Sequence, residues 1–360
     1  MWSLDDPKHR EAVDRSAMLA EIDRLPDQLV EAWTWGQAWP LPMTTLPRAV
    51  VVAGMGGSAI AADLLQGYVQ NVVPVPYVVW RDYGLPAWAQ GPEVLVVASS
   101  HSGNTEETLS AARTAWARGC TWMAITTGGQ LAVLAEDRGA TLWRFEHAGQ
   151  PRAAVGYSFG LLLALFARLG LIPDPRSDLE RAIEAMRQQQ ASLRFDVPTP
   201  LNPAKRLAGQ WVDRWVTVFG SGFLAPVARR WKGQINELAK AWAEFEVLPE
   251  ADHNTLAGLL KPPALFREHM ALFLDAEALP ARHRARVRLT QQVFMQAGLN
   301  TDRFLAPGEG ALAQQWTALH FGDYAAYYLA LAYGVDPTPV ESIQTFKALL
   351  AQEPDETDAS

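Results

Sequence analysis

The stretch Arg48–Leu65, RAVVVAGMGGSAIAADLL, decides the fold. A β-branched apolar run breaks at glycines, and the apolar residues of Ser58–Leu65 then recur at helical spacing, so the segment reads as strand, tight loop and helix. Outward from it the pattern repeats. Val72–Trp80 reads as a second strand and Glu93–Ala98 as a third, which turns through SSHSGNT into a helix over Glu106–Arg118; Thr121–Thr126 and Leu142–Glu146 read as the fourth and fifth strands. Strands alternating with helices of this length predict βαβ units and a doubly wound parallel sheet, whose ligands sit at the carboxyl ends of the strands.

From Pro173 to Pro203 the chain turns rich in proline, arginine and glutamine, around a polar helix over Ser177–Arg194. The second half then repeats the outline of the first. Trp215–Phe223 (WVTVFGSGF) predicts a strand and a glycine turn, and Leu224–Ala243 a helix. Met270–Asp275, a helix over Ala281–Ala297, a short strand over Asp302–Leu305 and a helix over Gly310–Tyr333 complete another α/β unit. The expectation is an α/β protein of two parallel-sheet subdomains, 1–172 and 205–360, joined by a linker helix region, 173–204.

The 360 residues, 49% of them hydrophobic and 19% charged, suffice for a large core and exclude wholesale disorder. Thirty-nine acids against 31 bases give a net charge of −8 without a basic block, which argues against a nucleic-acid partner. The longest apolar tract, Tyr157–Leu171, is interrupted by Arg168 and falls short of the ~20 apolar residues that span a bilayer, so it reads as a core helix. Cys120 is the single cysteine, and Met1–Arg10 is charged from the start; the expected compartment is the cytoplasm.

Gly54-Met55-Gly56-Gly57-Ser58-Ala59, between a strand and a helix, offers free amides to an anion. Its spacing also fits the G-x-G-x-x-A of a dinucleotide site, with Asp82 in the place of a ribose-binding acid, and a merely structural turn is a third reading. The second turn weighs toward a phosphate monoester, because Ser99, Ser100, Ser102 and Thr105 crowd hydroxyls around Gly103 and Asn104 at another helix start. Asn104 with Glu107 predicts a capping box there.

These segments, GMGGSAIAADLL, RDYGLP (Arg81–Pro86) and SSHSGNTEETL (Ser99–Leu109), resemble the sugar isomerase (SIS) domain of bifunctional phosphoglucose/phosphomannose isomerases. The likeness continues through QPRAAVGYSFG (Gln150–Gly160), WKGQINELAKAWAE (Trp231–Glu244), LPEADHN (Leu248–Asn254) and GDYAAYYLA (Gly322–Ala330), and so covers nearly the whole chain. It implies two SIS subdomains and a homodimer with sites near the interface. It also implies an aldose–ketose isomerase acting on glucose 6-phosphate and mannose 6-phosphate, with Gly56, Gly57, Ser58, Ser100, Ser102 and Thr105 holding the phosphorylated hexose.

Such a reaction moves a proton between C1 and C2, so a carboxylate must sit beside both carbons while a cation supports the enediolate. The resemblance makes Glu237 the base, with Lys240 three residues on expected to share its helical face and keep it ionised. By the same resemblance Arg152 stabilises the enediolate, His253 opens the ring across the subunit interface, Lys347 assists ring opening and Thr338 stands near the C2 hydroxyl. Two positions depart from the family pattern. His101 stands where a tyrosine is expected, and its imidazole, if protonated, would add charge to a neutral cradle; Leu238 follows the base where asparagine is common. The chemistry needs no cofactor, and the seven histidines show no metal-ligand spacing. The competing reading is a non-catalytic SIS sensor of sugar phosphates, which would keep the serine loop but need neither Glu237 nor His253.

Overall fold

A computed structural model describes residues 4–259 and 261–353; the first three residues of the charged amino-terminal stretch lie outside it. Five strands form the first sheet, β1 Ala49–Ala53, β2 Tyr77–Trp80, β3 Val94–Ser99, β4 Thr121–Thr126 and β5 Thr141–Arg144, all parallel in the order β2-β1-β3-β4-β5. Strands β1 and β3 are buried throughout, as continuous apolar runs in a sheet covered on both faces must be. Four more, β6 Trp215–Ser221, β7 Ala243–Leu248, β8 His269–Ala276 and β9 Asn300–Ala306, form a second parallel sheet in the order β7-β6-β8-β9. In both sheets the order reverses beside the strand that comes first in the chain, between β1 and β3 and between β6 and β8. Those are the places where a parallel sheet opens a crevice for a ligand.

The sequence reading and the structure part at three elements. Val72–Trp80 is strand only from Tyr77, because Pro74 and Pro76 cannot donate to a ladder. The helix expected over Leu224–Ala243 runs from Ala225 to Ala239 and stops where Lys240 adopts a left-handed conformation (φ 55°); Ala243 then begins β7. No capping box forms at the serine loop. Thr105 occupies the N-cap position without a side-chain cap, and Asn104 Oδ1 accepts instead from the Gln130 amide at 3.0 Å, tying the loop to the turn after β4.

One apolar core is continuous from the β1–β3 region to the second sheet, containing Val50 and Leu95 as well as Val218 and Leu272. Two helices run through it, Val155–Arg168 and Ala311–Tyr333. The first contains most of the long apolar tract, and Arg168 at its end donates to the Gly36 carbonyl at 2.7 Å. No helix among the described residues is long and apolar enough to cross a membrane. Gly322 in the second helix lies under the indole of Trp231, where an added Cβ would come within 2.1 Å of Nε1, so only glycine lets these helices close. Trp231 is thereby fixed, its Nε1 donating to the Ala318 carbonyl at 2.9 Å, and the helix Ala225–Ala239 is held with its Glu237 face toward the first sheet's glycine loop.

Candidate active site

The glycine loop after β1 is shaped by what it must approach. A Cβ on Gly54 would lie 2.6 Å from the Ser99 carbonyl, and one on Gly57 would lie 2.5 Å from the Pro151 carbonyl and 3.4 Å from the Arg152 Cα. The first contact seats the loop against the serine loop; the second presses it onto the short 3-10 turn Pro151–Ala154, which carries Arg152. Gly56, at φ +50° with open space around it, supplies the left-handed turn from which the helix Gly56–Val69 starts.

Opposite this loop stands the helix Ala225–Ala239, and between them lies a cleft of about 370 Å³ bordered by Gly56, Gly57, Arg81, Arg152, Lys232 and Glu237. Four residues singled out from the sequence, Gly56, Gly57, Arg152 and Glu237, therefore meet in one place. Arg152 is buried, and its short hydrogen bonds go to main-chain carbonyls: Nη2 donates to Pro337 at 2.7 Å and also to Thr338. Its Nη1 reaches Glu237 Oε2 at 3.5 Å, close enough for strong attraction but long for a hydrogen bond. Glu237 is thus beside a cation without being consumed by it, and its side chain is one-third exposed (33%). Burial lowers the Arg152 pKa and the Glu237 charge opposes that shift; a guanidinium stays protonated regardless.

Lys240 does not act as expected. The helix ends at that residue, so the side chain turns back and Nζ donates to the main-chain carbonyl of Glu237 rather than pairing with its carboxylate. Partial burial, followed by the Arg152 charge, pushes its ammonium down to about 8. Thr338 contributes its carbonyl to Arg152, and its hydroxyl is buried without a hydrogen-bond partner.

The serine loop folds on itself. Ser100 Oγ and Thr105 Oγ1 are 2.8 Å apart, the Gly103 amide donates to Ser100 Oγ at 3.1 Å, and the Asn104 amide to Ser102 Oγ at 3.2 Å. Gly128 and Gly129 after β4 support it; a Cβ on Gly129 would meet the Ser102 carbonyl at 2.3 Å. Ser58 and Ser100 are buried, Thr105 is half-buried and Ser102 is exposed. These hydroxyls share the carboxyl end of the first sheet with the glycine loop but do not border the Arg152–Glu237 cleft. His253 is exposed on the 3-10 turn Glu250–His253 after β7, and Lys347 is exposed on the terminal helix Glu341–Leu350; neither borders that cleft.

Residues 201–350 match the family described as bacterial phospho-glucose isomerase C-terminal SIS domain. A bifunctional phosphoglucose/phosphomannose isomerase of Caldicellulosiruptor bescii is 36% identical over 93% of this chain and 99% of its own. The chain belongs to the bifunctional phosphoglucose/phosphomannose isomerase family. A second family member, from Aquifex aeolicus, is 32% identical over 83% of this chain and 89% of its own. Among solved structures, a glucose-6-phosphate isomerase like protein from Thermus thermophilus superimposes with a TM-score of 0.65 over 97% of this chain and the whole of its own, at 21% identity, which speaks to the fold alone.

Within this phosphoglucose/phosphomannose isomerase fold, part of the machinery was not assigned from the sequence. Arg230, next to the family segment WKGQINELAK, is buried and donates through Nη2 to the Arg152 carbonyl at 2.7 Å. Asp323 of GDYAAYYLA receives the same guanidinium at 3.1 and 2.8 Å. The aspartate fixes Arg230, and Arg230 fixes the turn that presents Arg152. Arg81 of RDYGLP enters the cleft paired with Asp63, which also meets Arg229 at 3.2 Å. The quoted segments contained Asp323 and Arg81, but only their spatial partners reveal what they do.

Proposed function

We propose that the chain interconverts glucose 6-phosphate and mannose 6-phosphate with fructose 6-phosphate through an enediolate. The carrying observation is the Glu237 carboxylate and the Arg152 guanidinium, 3.5 Å apart in a cleft walled by the glycine loop. Glu237 takes the C2 proton of the open-chain aldose and returns it to C1, while the proton of the C2 hydroxyl passes to the C1 oxygen. Arg152 faces the negative charge that grows on those oxygens, a role that suits a buried cation held in advance by two carbonyls. Gly56 and Gly57 of the cleft take the phosphate together with Ser58, Ser100, Ser102 and Thr105 at the same carboxyl end of the first sheet, and Arg81 and Lys232 add positive charge to the Arg152–Glu237 cleft. A sensor of sugar phosphates would need the serine loop but not a carboxylate poised beside an arginine, so the enzyme is favoured.

The reading extends to a homodimer in the cytoplasm. His253 is exposed and outside its own cleft, which supports its service to the site of a second copy in ring opening, with Lys347 assisting. It also keeps the division into subdomains 1–172 and 205–360 with the linker region 173–204, one sheet to each subdomain.

Coupled assays with each hexose 6-phosphate test the proposal. Turnover of glucose 6-phosphate supports it, and binding without turnover of any of the three sugars turns the reading toward the sensor. Within an active enzyme, Ser102→Ala and Thr105→Ala are expected to raise KM about tenfold or more, each losing a hydrogen bond to a charged group worth about 1.5–3 kcal/mol. Their kcat should hardly change, since phosphate is bound alike in ground and transition states. Gly57→Ala is expected to act on kcat instead. Its Cβ would displace the Pro151 carbonyl and with it Arg152, and a misplacement of this kind costs up to about 10²-fold. Steady-state kinetics on the folded variants separate the two outcomes.

A further inference from the structure

The serine loop carries a set of groups that the isomerisation does not use. His101, between Ser100 and Ser102, has its Nε2 2.8 Å from His147 Nδ1, and His147 Nε2 lies 3.1 Å from Glu21 Oε2. Two imidazoles and a carboxylate stand in line, supplied by the loop after β3, the segment after β5 and the helix Met18–Asp23. The line is built rather than incidental. Phe145 meets the His101 ring edge-on at 6.1 Å, Tyr157 lies against His147 at 5.7 Å, and a Cβ on Gly149 would meet His147 Cε1 at 2.7 Å, so only glycine lets the chain wrap the ring there. The His147 side chain is 7% exposed. The other charged groups around it are Glu31, which accepts from Tyr157 and pairs with Arg24 at 3.3 Å, and Arg144, which donates to the Thr127 carbonyl beside the loop.

The hydrogens follow from what each atom can do. An ionised carboxylate only accepts, so His147 Nε2 carries a hydrogen. One hydrogen lies between the rings. In the neutral pair His101 Nε2–H therefore donates to a bare His147 Nδ1, which leaves His101 Nδ1 bare as well. One additional proton, whether formally on His101 or on His147, gives His101 an Nδ1–H and turns an acceptor into a charged donor. A phosphate dianion has only acceptors to offer.

We propose that the His101–His147–Glu21 line takes up a proton when a phosphate enters the serine loop, so that binding of the sugar phosphate is proton-linked. The proposal rests on the reading of that loop as the phosphate cradle. It also decides the condition left open by the sequence, whether His101 is protonated: without ligand, burial and then the His147 field push its pKa down to about 4, so the ring is neutral at pH 7. The hydrogen bond from His147 holds Glu21 below the usual carboxylate range, ready to face an imidazolium. An anion within ~4–6 Å raises a neighbouring pKa by roughly 1–3 units. Between the free and the bound value, each unit of rising pH then weakens binding tenfold. The second ionisation of the sugar phosphate, near pH ~6, has the opposite sign and is common to every variant.

Calorimetric titration of the full chain with glucose 6-phosphate at pH 6, in two buffers of different protonation enthalpy, counts protons per bound ligand. His101→Gln keeps a hydrogen-bonding side chain that does not titrate. The wild type is expected to take up more protons than this variant, and to lose affinity relative to it as pH rises from 5 to 7, by about tenfold for a shift of roughly two units. Equal proton counts and parallel pH profiles would overturn the proposal even with turnover intact. Proton-linked binding without turnover would keep it and sink the isomerase instead, whereas no binding of glucose 6-phosphate at all would overturn both. Should His101→Gln fail to fold, Glu21→Gln, which removes the carboxylate that faces the imidazolium, is compared with the wild type in the same way: a smaller proton uptake supports the proposal and an equal one overturns it.

Discussion

Replacing Glu237 by Gln is expected to cut turnover of every hexose 6-phosphate by about 10²–10⁴-fold, the span of general acid–base catalysis, or about 3–5 kcal/mol in the barrier. The amide has nearly the volume of the carboxylate, and the backbone around it is set by a helix that Trp231 locks in place. Arg152 is held by the Pro337 and Thr338 carbonyls and does not depend on Glu237 for its place. Binding should therefore survive while proton transfer fails. Exchange of the C2 hydrogen of glucose 6-phosphate with deuterated solvent, followed by NMR, reads the step directly. Wild-type exchange in Glu237→Gln would exclude this carboxylate as the base and turn attention to Glu244, which borders the adjoining cleft beyond Glu237, or to Glu250 at the start of the 3-10 turn.

The strands and loops of the first half were legible because each signal is local. Val50–Val52 are fully buried, as a β-branched run ending at glycines requires, and the serine loop starts a helix as its composition suggests. What escaped depends on distant partners or on uncommon backbone. Lys240 is a poor residue for a left-handed helix end, so nothing in ELAKAWAE announced that the helix stops there, and AEFEVL (Ala243–Leu248) was not read as a strand despite its alternation. The same early stop undid the expected Glu237–Lys240 pair, which presumed a continuing helix. Arg152 and Glu237 are 85 residues apart, and His147 and Glu21 are 126 apart. Family segments brought the first pair to notice; no spacing rule reaches the second.

Asp323→Ala should destabilise the fold by about 3–5 kcal/mol, the cost of leaving a buried charge without its partner. Arg230 and Asp323 are both almost fully buried, with side chains 4% and 3% exposed, and they meet through two hydrogen bonds of 3.1 and 2.8 Å. Alanine leaves the guanidinium in the core with only the Arg152 carbonyl to accept from it at 2.7 Å. The pair sits where the helix Ala311–Tyr333 packs on Ala225–Ala239, next to Gly322 and Trp231, so the side chain cannot swing to water without parting the two helices. Chemical denaturation gives the size of the loss. A double variant, Arg230→Met with Asp323→Leu, removes both charges and fills the space with apolar groups; it should recover most of the stability, since apolar replacement of a buried pair is often neutral or better. It should not recover the reaction. The Arg152 carbonyl then loses the Arg230 donor, the Pro151–Ala154 turn loosens, and the cation facing Glu237 drifts, so kcat should stay low in the stable double variant. Full activity in the double variant would show that the pair serves the core alone, and a loss below about 1 kcal/mol in Asp323→Ala would show that Arg230 finds water after all.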